Sequence, residues 1–235
     1  MLEISESLKG IRERMNAACL RVSRDPASVH LIAVSKTFSI GDIQEAIDAG
    51  QHVFGESRQQ EAAPKIEGLS NQIEWHFIGR VQSNKVRKIL PLFKYVHAVD
   101  SLKLAVYIDG VAADLALRPK IFLQVNQSHE ESKGGFSVTE LQEKIHEISA
   151  LKHLDVVGLM TIPPAVEDPE VARHWFSEMR ILRDKIKLNS DAEIPFLSMG
   201  MSGDFEVAIE EGATHVRVGS AIFGRRAYKI SGELG

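Results

Sequence analysis

The stretch VHLIAVSKTF, Val29 to Phe38, decides the reading of the fold. Its opening VHLIAV is apolar apart from His30, and a run of this kind without alternation is what a strand buried on both faces requires. Such strands belong to parallel sheets covered on both sides. Immediately after the run stand Ser35 and Lys36, so an amine is placed where the strand ends. Alone, a lysine after a strand is a solvated side chain. The rest of the chain decides whether this one is more.

Working outward, seven further β-rich runs follow: HVFGE, EWHFIG, YVHAV, IFLQVN, LDVVGLMTI, FLSM and HVRVG. Helical patterns separate most of them, namely SIGDIQEAIDAG, NKVRKIL, SLKLAVYIDGVAADL, SVTELQEKIHEISA, PEVARHWFSEMRILRDKIKL and GDFEVAIEEG. Ser101 and Ser137 stand where helix N-caps belong, and Gly50 and Gly212 where helices close. Parallel strands need crossover helices, so this alternation predicts a single-domain α/β protein over residues 1–235, a (β/α)8 TIM barrel. An extra amphipathic helix in MLEISESLKGIRERMNAACLRVSR precedes it. A doubly wound open sheet is the rival architecture. Against it, the first strand is followed by VSKTFS and not by a glycine-rich dinucleotide fingerprint. EAIDAGQHVFGE and VAIEEGATHVRVGS also share one order of helix, glycine, strand and glycine, as repeated βα units do.

Composition narrows the functional classes. Apolar residues make up 44% and charged residues 26%, ordinary values for a soluble globular chain, which sets disorder aside. A net charge of -4 opposes general nucleic-acid affinity. The N-terminus mixes acids and bases at helical spacing, unlike an export signal, and no apolar run is long enough to span a bilayer. The one cysteine, Cys19, fits a reducing compartment, and the expected location is the cytoplasm. The nine histidines lack the spacing of a metal site.

Barrel active sites lie at the carboxyl ends of the strands, and the loops after strands seven and eight often hold phosphate. Lys36 ends the first strand, SMGMSGD (Ser198 to Asp204) follows the seventh, and RVGSAIFG (Arg217 to Gly224) closes the eighth. Gly200, Gly203 and Gly219 permit close backbone approach, Ser198, Ser202 and Ser220 add hydroxyls, and SAIF can begin a short helix with free N–H groups. These are the parts of a phosphate cradle. A cradle opposite a strand-end amine suggests pyridoxal phosphate, whose aldehyde condenses with lysine, or a class I aldolase acting on a sugar phosphate. Arg217 favours the first, since a guanidinium facing a pyridine nitrogen can only donate. Met160 and Met199 are placed to wall the ring. His76, inside WHFIG, faces either the barrel lumen near the cofactor or a helix outside, according to strand register. RVQSNKVRK gathers Arg80, Lys85, Arg87 and Lys88 into an exposed basic face, and Lys133 in EESKGGF offers a second amine.

At this point the motifs carry a resemblance. AVSKT, GE-x-x-x-QE (Gly55 to Glu61), WHFIGRVQSNK, HAVDSLKLA, EESKGGF, GLMTIPP, LSMGMSGDF and RVGSAIFGRR occur in the order of the YggS-type pyridoxal phosphate homeostasis proteins and cover almost the whole chain. The resemblance implies a barrel similar to the N-terminal domain of alanine racemase, fold type III among pyridoxal phosphate proteins. It implies covalent binding of the cofactor by Lys36, with Arg217 at the ring nitrogen and Ser198, Gly200, Gly219 and Ser220 around the phosphate. It further implies vitamin B6 homeostasis without established turnover, a monomer, and apo pyridoxal phosphate enzymes as partners. Ser57 stands where relatives commonly carry asparagine, offering a shorter reach and one hydroxyl, and Ser220 where many carry threonine. The alternative is a racemase or decarboxylase on the same barrel. Racemisation needs an acid–base group on each face of the substrate. Tyr95, Tyr107 and Tyr228 are not at evident catalytic positions, and the chain stops soon after its eighth strand, so no catalytic residue is assigned.

Overall fold

The run after Val29 becomes strand β1 (His30–Val34) of a closed, all-parallel barrel. The computed structural model describes residues 3–70, 72–128, 130, 134–190 and 192–224. The other strands are β2 (Val53–Glu56), β3 (Glu74–Phe77), β4 (Tyr95–Val99), β5 (Lys120–Gln124), β6 (Asp155–Met160), β7 (Phe196–Met201) and β8 (His215–Val218). They pair in chain order, and β8 returns to β1 with His30 opposite His215 and Ala33 opposite Val218. Alternation sorts each strand between lumen and helices. Leu31 and Ala33 join the large core under the helices. Ile32 points inward, where a Cβ added at Gly55 would lie 2.8 Å from its side chain.

Helix α1 (Ile4–Arg21) precedes the barrel and packs on α2 (Ile40–Asp48) and α8 (Phe205–Glu210). Its buried stripe is Leu8, Ile11, Met15, Ala18 and Cys19, while Arg12 donates 2.9 Å hydrogen bonds to the Ala49 and Gly50 carbonyls at the end of α2. The remaining helices are α3 (Gln59–Gly68), α4 (Val86–Ile89), α5 (Leu102–Asp114), α6 (Val138–Ser149), α7 (Pro169–Asn189) and α9 (Ser220–Phe223). Ser101 and Ser137 cap α5 and α6 by accepting from the N–H groups of Leu104 and Glu140. Gly50 and Gly212 follow α2 and α8 in the left-handed region, as expected of helix ends.

Two departures from the sequence reading matter for the site. Helix α3 was hidden in the sequence because it carries Pro64 in its interior and buries only Ala62 and Lys65. Strand β7 runs beyond FLSM to Met201, and its register with β8 breaks between Ser198 and Met201. Among the described residues no helix is long and apolar enough to cross a membrane.

Candidate functional site

At the end of β1 the chain turns through Ser35, Lys36 and Thr37, and a buried ionic cluster behind the turn fixes it. The Lys65 ammonium, from α3, donates to the Ser35 carbonyl at 3.0 Å and to the Glu56 and Glu61 carboxylates at 2.9 Å each. The Ser35 hydroxyl donates to Glu56 at 2.7 Å, and the Thr37 N–H donates to Glu61. Both neighbours of Lys36 are thereby held to one cluster. Thr37 sits at φ 72°, a conformation a β-branched residue rarely adopts, and the Glu61 bond offsets that strain. Burial pushes the Glu56 carboxyl up, against the hydrogen bonds from Lys65 and Ser35. For Glu61 the same burial is outweighed by Lys65 and Thr37, and its carboxyl is held down.

Across the barrel mouth stand the ends of β7 and β8. Arg217, third in β8, points up the lumen and is 4% exposed. Its guanidinium donates to the Ser198 hydroxyl at 2.6 Å and to the Thr161 carbonyl at 3.0 Å. Among the described residues no carboxylate pairs with it, although Asp204 acts on it from a distance. Burial lowers the guanidinium to about 10, so it keeps its charge at neutral pH. In the adjoining turns the N–H groups of Gly219 and Ala221 both donate to the Ser202 hydroxyl, at 3.2 and 3.4 Å. Two amides therefore converge on one oxygen.

These groups face a single cavity of about 300 Å³. Lys36, Arg217, Ser202, Gly203, Gly219 and Ser220 supply its polar and glycine-lined wall; Val34, Phe38, Ile78, Ile162 and Met201 supply the apolar one. Phe38 stacks on Phe223 with ring centroids 4.9 Å apart, which ties the turn after Lys36 to α9. The cavity can thus take a flat, partly apolar molecule that carries an anionic group and a carbonyl.

Of the residues singled out in the sequence, Lys36, Arg217, Ser202, Gly203, Gly219 and Ser220 meet here. The structure places the others elsewhere. Ser198 is fully buried below the cavity, its hydroxyl taken by Arg217 and by His97 at 2.8 Å, so it does not face a phosphate. Met199 alternates to the outside of the barrel and joins the helix-side core. Gly200 serves helix packing: a Cβ there would lie 2.6 Å from the Ala208 Cβ. Along this segment it is Met201, Ser202 and Gly203 that line the cavity. Met160 lines a neighbouring cavity that shares Ile78 and Ile162 with the first, and Ser57 lines a further one beside Arg58, Arg80 and Lys85. His76 does face the lumen, but in a layer beneath the cavity, where it stacks on Tyr95 at 4.3 Å and pairs with His97. Lys133 and Tyr228 lie outside the described residues.

Sequence reasoning missed His97 and Glu74 altogether. His76 Nδ1 lies 2.8 Å from His97 Nε2, and His76 Nε2 lies 3.0 Å from Glu74 Oε1. His97 stacks on Phe122 with centroids 4.3 Å apart. Burial depresses both imidazoles, His97 strongly with neighbouring histidines and Arg217 adding to the fall, whereas at His76 the bond to Glu74 works against it. Glu74, hydrogen-bonded to His76 and to Lys94, is held down at about 2.

An eight-stranded parallel barrel with an amine after β1 and an arginine in β8 defines a class, and the family of the alanine racemase N-terminal domain matches residues 8–227 of this chain. Within that class the resemblances are specific. A pyridoxal phosphate homeostasis protein of Synechocystis sp. is 45% identical over 86% of this chain and 93% of its own length. One of Aquifex aeolicus is 42% identical, covering 95% of this chain and 98% of its own. The solved structure of PipY from Synechococcus elongatus with pyridoxal phosphate bound is 36% identical with a TM-score of 0.84, covering 94% of this chain and all of that one. The chain belongs to the pyridoxal phosphate homeostasis protein family.

Proposed function

We propose that this protein binds pyridoxal 5'-phosphate in the cavity at the barrel mouth, holds it covalently through Lys36, and serves cofactor homeostasis as a carrier. The carrying observation is that Lys36 and Arg217 face one cavity whose wall also carries the Ser202 and Ser220 hydroxyls, the first held in place by two converging amides. The fit is chemical as well as spatial. A volume of about 300 Å³ is at the small end of ligand sites, the size range of a single substituted ring. Bound there, the cofactor supplies an aldehyde that condenses reversibly with an amine.

The chain's own residues then divide the work. Lys36 supplies the amine, and the Lys65, Glu56 and Glu61 cluster holds its turn in place. Ser220, and Ser202 whose hydroxyl oxygen is held by the amides of Gly219 and Ala221, offer hydroxyl donors to the phosphate. Ile78, Ile162 and Met201 exclude water from the ring faces. Arg217 meets the ring nitrogen. Because a guanidinium only donates, it keeps that nitrogen unprotonated and leaves the ring a weak electron sink. The described lining holds one amine, one permanent cation, hydroxyls and apolar groups, a set suited to holding the cofactor and poorly suited to two-sided proton transfer. This supports retention and release over turnover. We place the protein in the cytoplasm as a single-domain monomer, with apo pyridoxal phosphate enzymes as recipients.

The test mixes the loaded protein with an apo-enzyme and follows recovered activity, alongside α-proton exchange on D- and L-amino acids. The carrier reading expects transfer faster than spontaneous release and no exchange. Rapid exchange that vanishes in Lys36→Ala would replace it with an enzyme.

A further inference from the structure

The lumen below the cavity contains an unbroken chain of polar contacts running from one mouth of the barrel to the other. It starts at Arg217 and passes through Ser198 on β7, His97 on β4 and His76 on β3 to Glu74, the first residue of β3 at the amino-end mouth. All three intermediate side chains are buried to 1% exposure or less. With His76 neutral, the two ends settle the direction of every bond between them. A guanidinium can only donate, and an ionised carboxylate can only accept. Glu74 therefore takes a proton-bearing His76 Nε2, which leaves His76 Nδ1 as an acceptor. His97 must then carry its proton on Nε2 and present a lone pair at Nδ1. The Ser198 hydroxyl donates to that lone pair and accepts from Arg217.

The alternative assignment charges His76 and reverses His97. It would aim two donors at the Ser198 oxygen and leave the hydroxyl proton without an acceptor at the contacts observed. It would also bury a second cation near Arg217, with His215, His30 and Lys94 facing the same histidines. The ring stacks of His76 on Tyr95 and His97 on Phe122 hold both imidazole planes in the orientation the chain needs.

We propose that Glu74 is a positioning residue for Arg217: acting through His76, His97 and Ser198, it fixes how the guanidinium is presented to the cavity on the opposite face of the barrel. The proposal rests on the reading of Arg217 as the partner of the cofactor's ring nitrogen, and it adds a distant residue that sets that contact. Lys94 also pairs with Glu74, on the other carboxylate oxygen, yet lies outside the chain. Removing Lys94 should leave the directed run intact, and removing Glu74 should undo it.

The first measurement uses cofactor-free wild-type protein with ¹⁵N-labelled histidine, read by NMR at neutral pH. His76 and His97 should both be neutral and carry their proton on Nε2. A proton on Nδ1 of either, or a charged His76, overturns the proposal whatever the cofactor does. The second compares variants. Glu74→Ala should lose the fixed tautomers and bind pyridoxal phosphate and pyridoxal about tenfold more weakly each, the worth of one hydrogen bond, because the effect is at the ring and not the phosphate. Lys94→Ala should change neither reading, and Glu74→Gln, whose amide oxygen can still accept from His76, should restore both tautomers and most of the affinity. Unchanged tautomers in Glu74→Ala, or an equal loss in Lys94→Ala, would sink the relay. Failure of wild type to take up pyridoxal phosphate would instead refute the cofactor reading, and the tautomer measurement would still decide the chain of bonds.

Discussion

Replacing Gly200 by alanine separates a packing role from a ligand role. Gly200 has φ 91°, and a Cβ added there lies 2.6 Å from the Ala208 Cβ and 3.0 Å from the Phe205 Cα. Holding an L-residue in the left-handed region costs about 1–2 kcal/mol. Pushing α8 away from β7 to make room costs about 1–3 kcal/mol more, the usual range for overpacking. The sum is about 2–5 kcal/mol, and at roughly 2–4 °C per kcal/mol for a chain of this length the melting temperature should fall by about ten degrees. Circular dichroism melts and urea midpoints with an unchanged m-value would measure it. Pyridoxal phosphate affinity, determined well below the transition, should change less than about threefold, under the ~1.4 kcal/mol that a tenfold change represents. A melt that does not move, together with lost affinity, would return Gly200 to the phosphate site and refute the reasoning.

Other consequences can be checked in the same way. Ser202→Ala and Ser220→Ala together should weaken pyridoxal phosphate by roughly ten- to a hundredfold while sparing pyridoxal, as expected for lost bonds to a charged group; equal losses for the two ligands would count against the phosphate wall. Lys65→Met should destabilise the fold by about 3–5 kcal/mol in urea, because it leaves Glu56 with uncompensated buried charge, and adding Glu56→Gln should recover part of that loss. Stability should fall as pH drops below 6.5, since His76, His97 and His215 stay neutral in the fold while the unfolded chain takes up protons. Each such group contributes up to about 1.4 kcal/mol per pH unit in that window, so urea midpoints that do not decline between neutral and mildly acid pH would contradict the buried-histidine lumen. Glu74 adds a separate loss at lower pH: its stabilisation is present above 4.5 and disappears as pH falls toward 2.

The barrel was legible because parallel strands must be apolar on both faces, so each announces itself as a short run with a helix after it. Lys36 and Arg217 were legible for the same reason, as charged residues at or near the ends of such runs. Ser198 lies one layer too deep: ordinary alternation along β7 puts it in the lumen opposite His215, and only Met201 and Ser202, past the break in register, reach the cavity. Helix α3 was hidden by Pro64, and with it the Lys65 cluster that fixes the turn carrying Lys36. His97 could not be found by spacing. Its partners lie 21 residues away on β3 and 101 residues away on β7, and only closure of the barrel brings them together. Ser57, which stands where relatives commonly carry asparagine, lines a basic depression beside Arg58 and Arg80.

The most direct test of the central claim is to load the purified protein with pyridoxal phosphate, reduce it with borohydride, digest it and locate the pyridoxyl group by mass spectrometry. The account predicts one dominant modified peptide carrying Lys36, and no comparable label in Lys36→Ala protein that melts like wild type. A label centred on any other lysine, or undiminished labelling of Lys36→Ala, would contradict it.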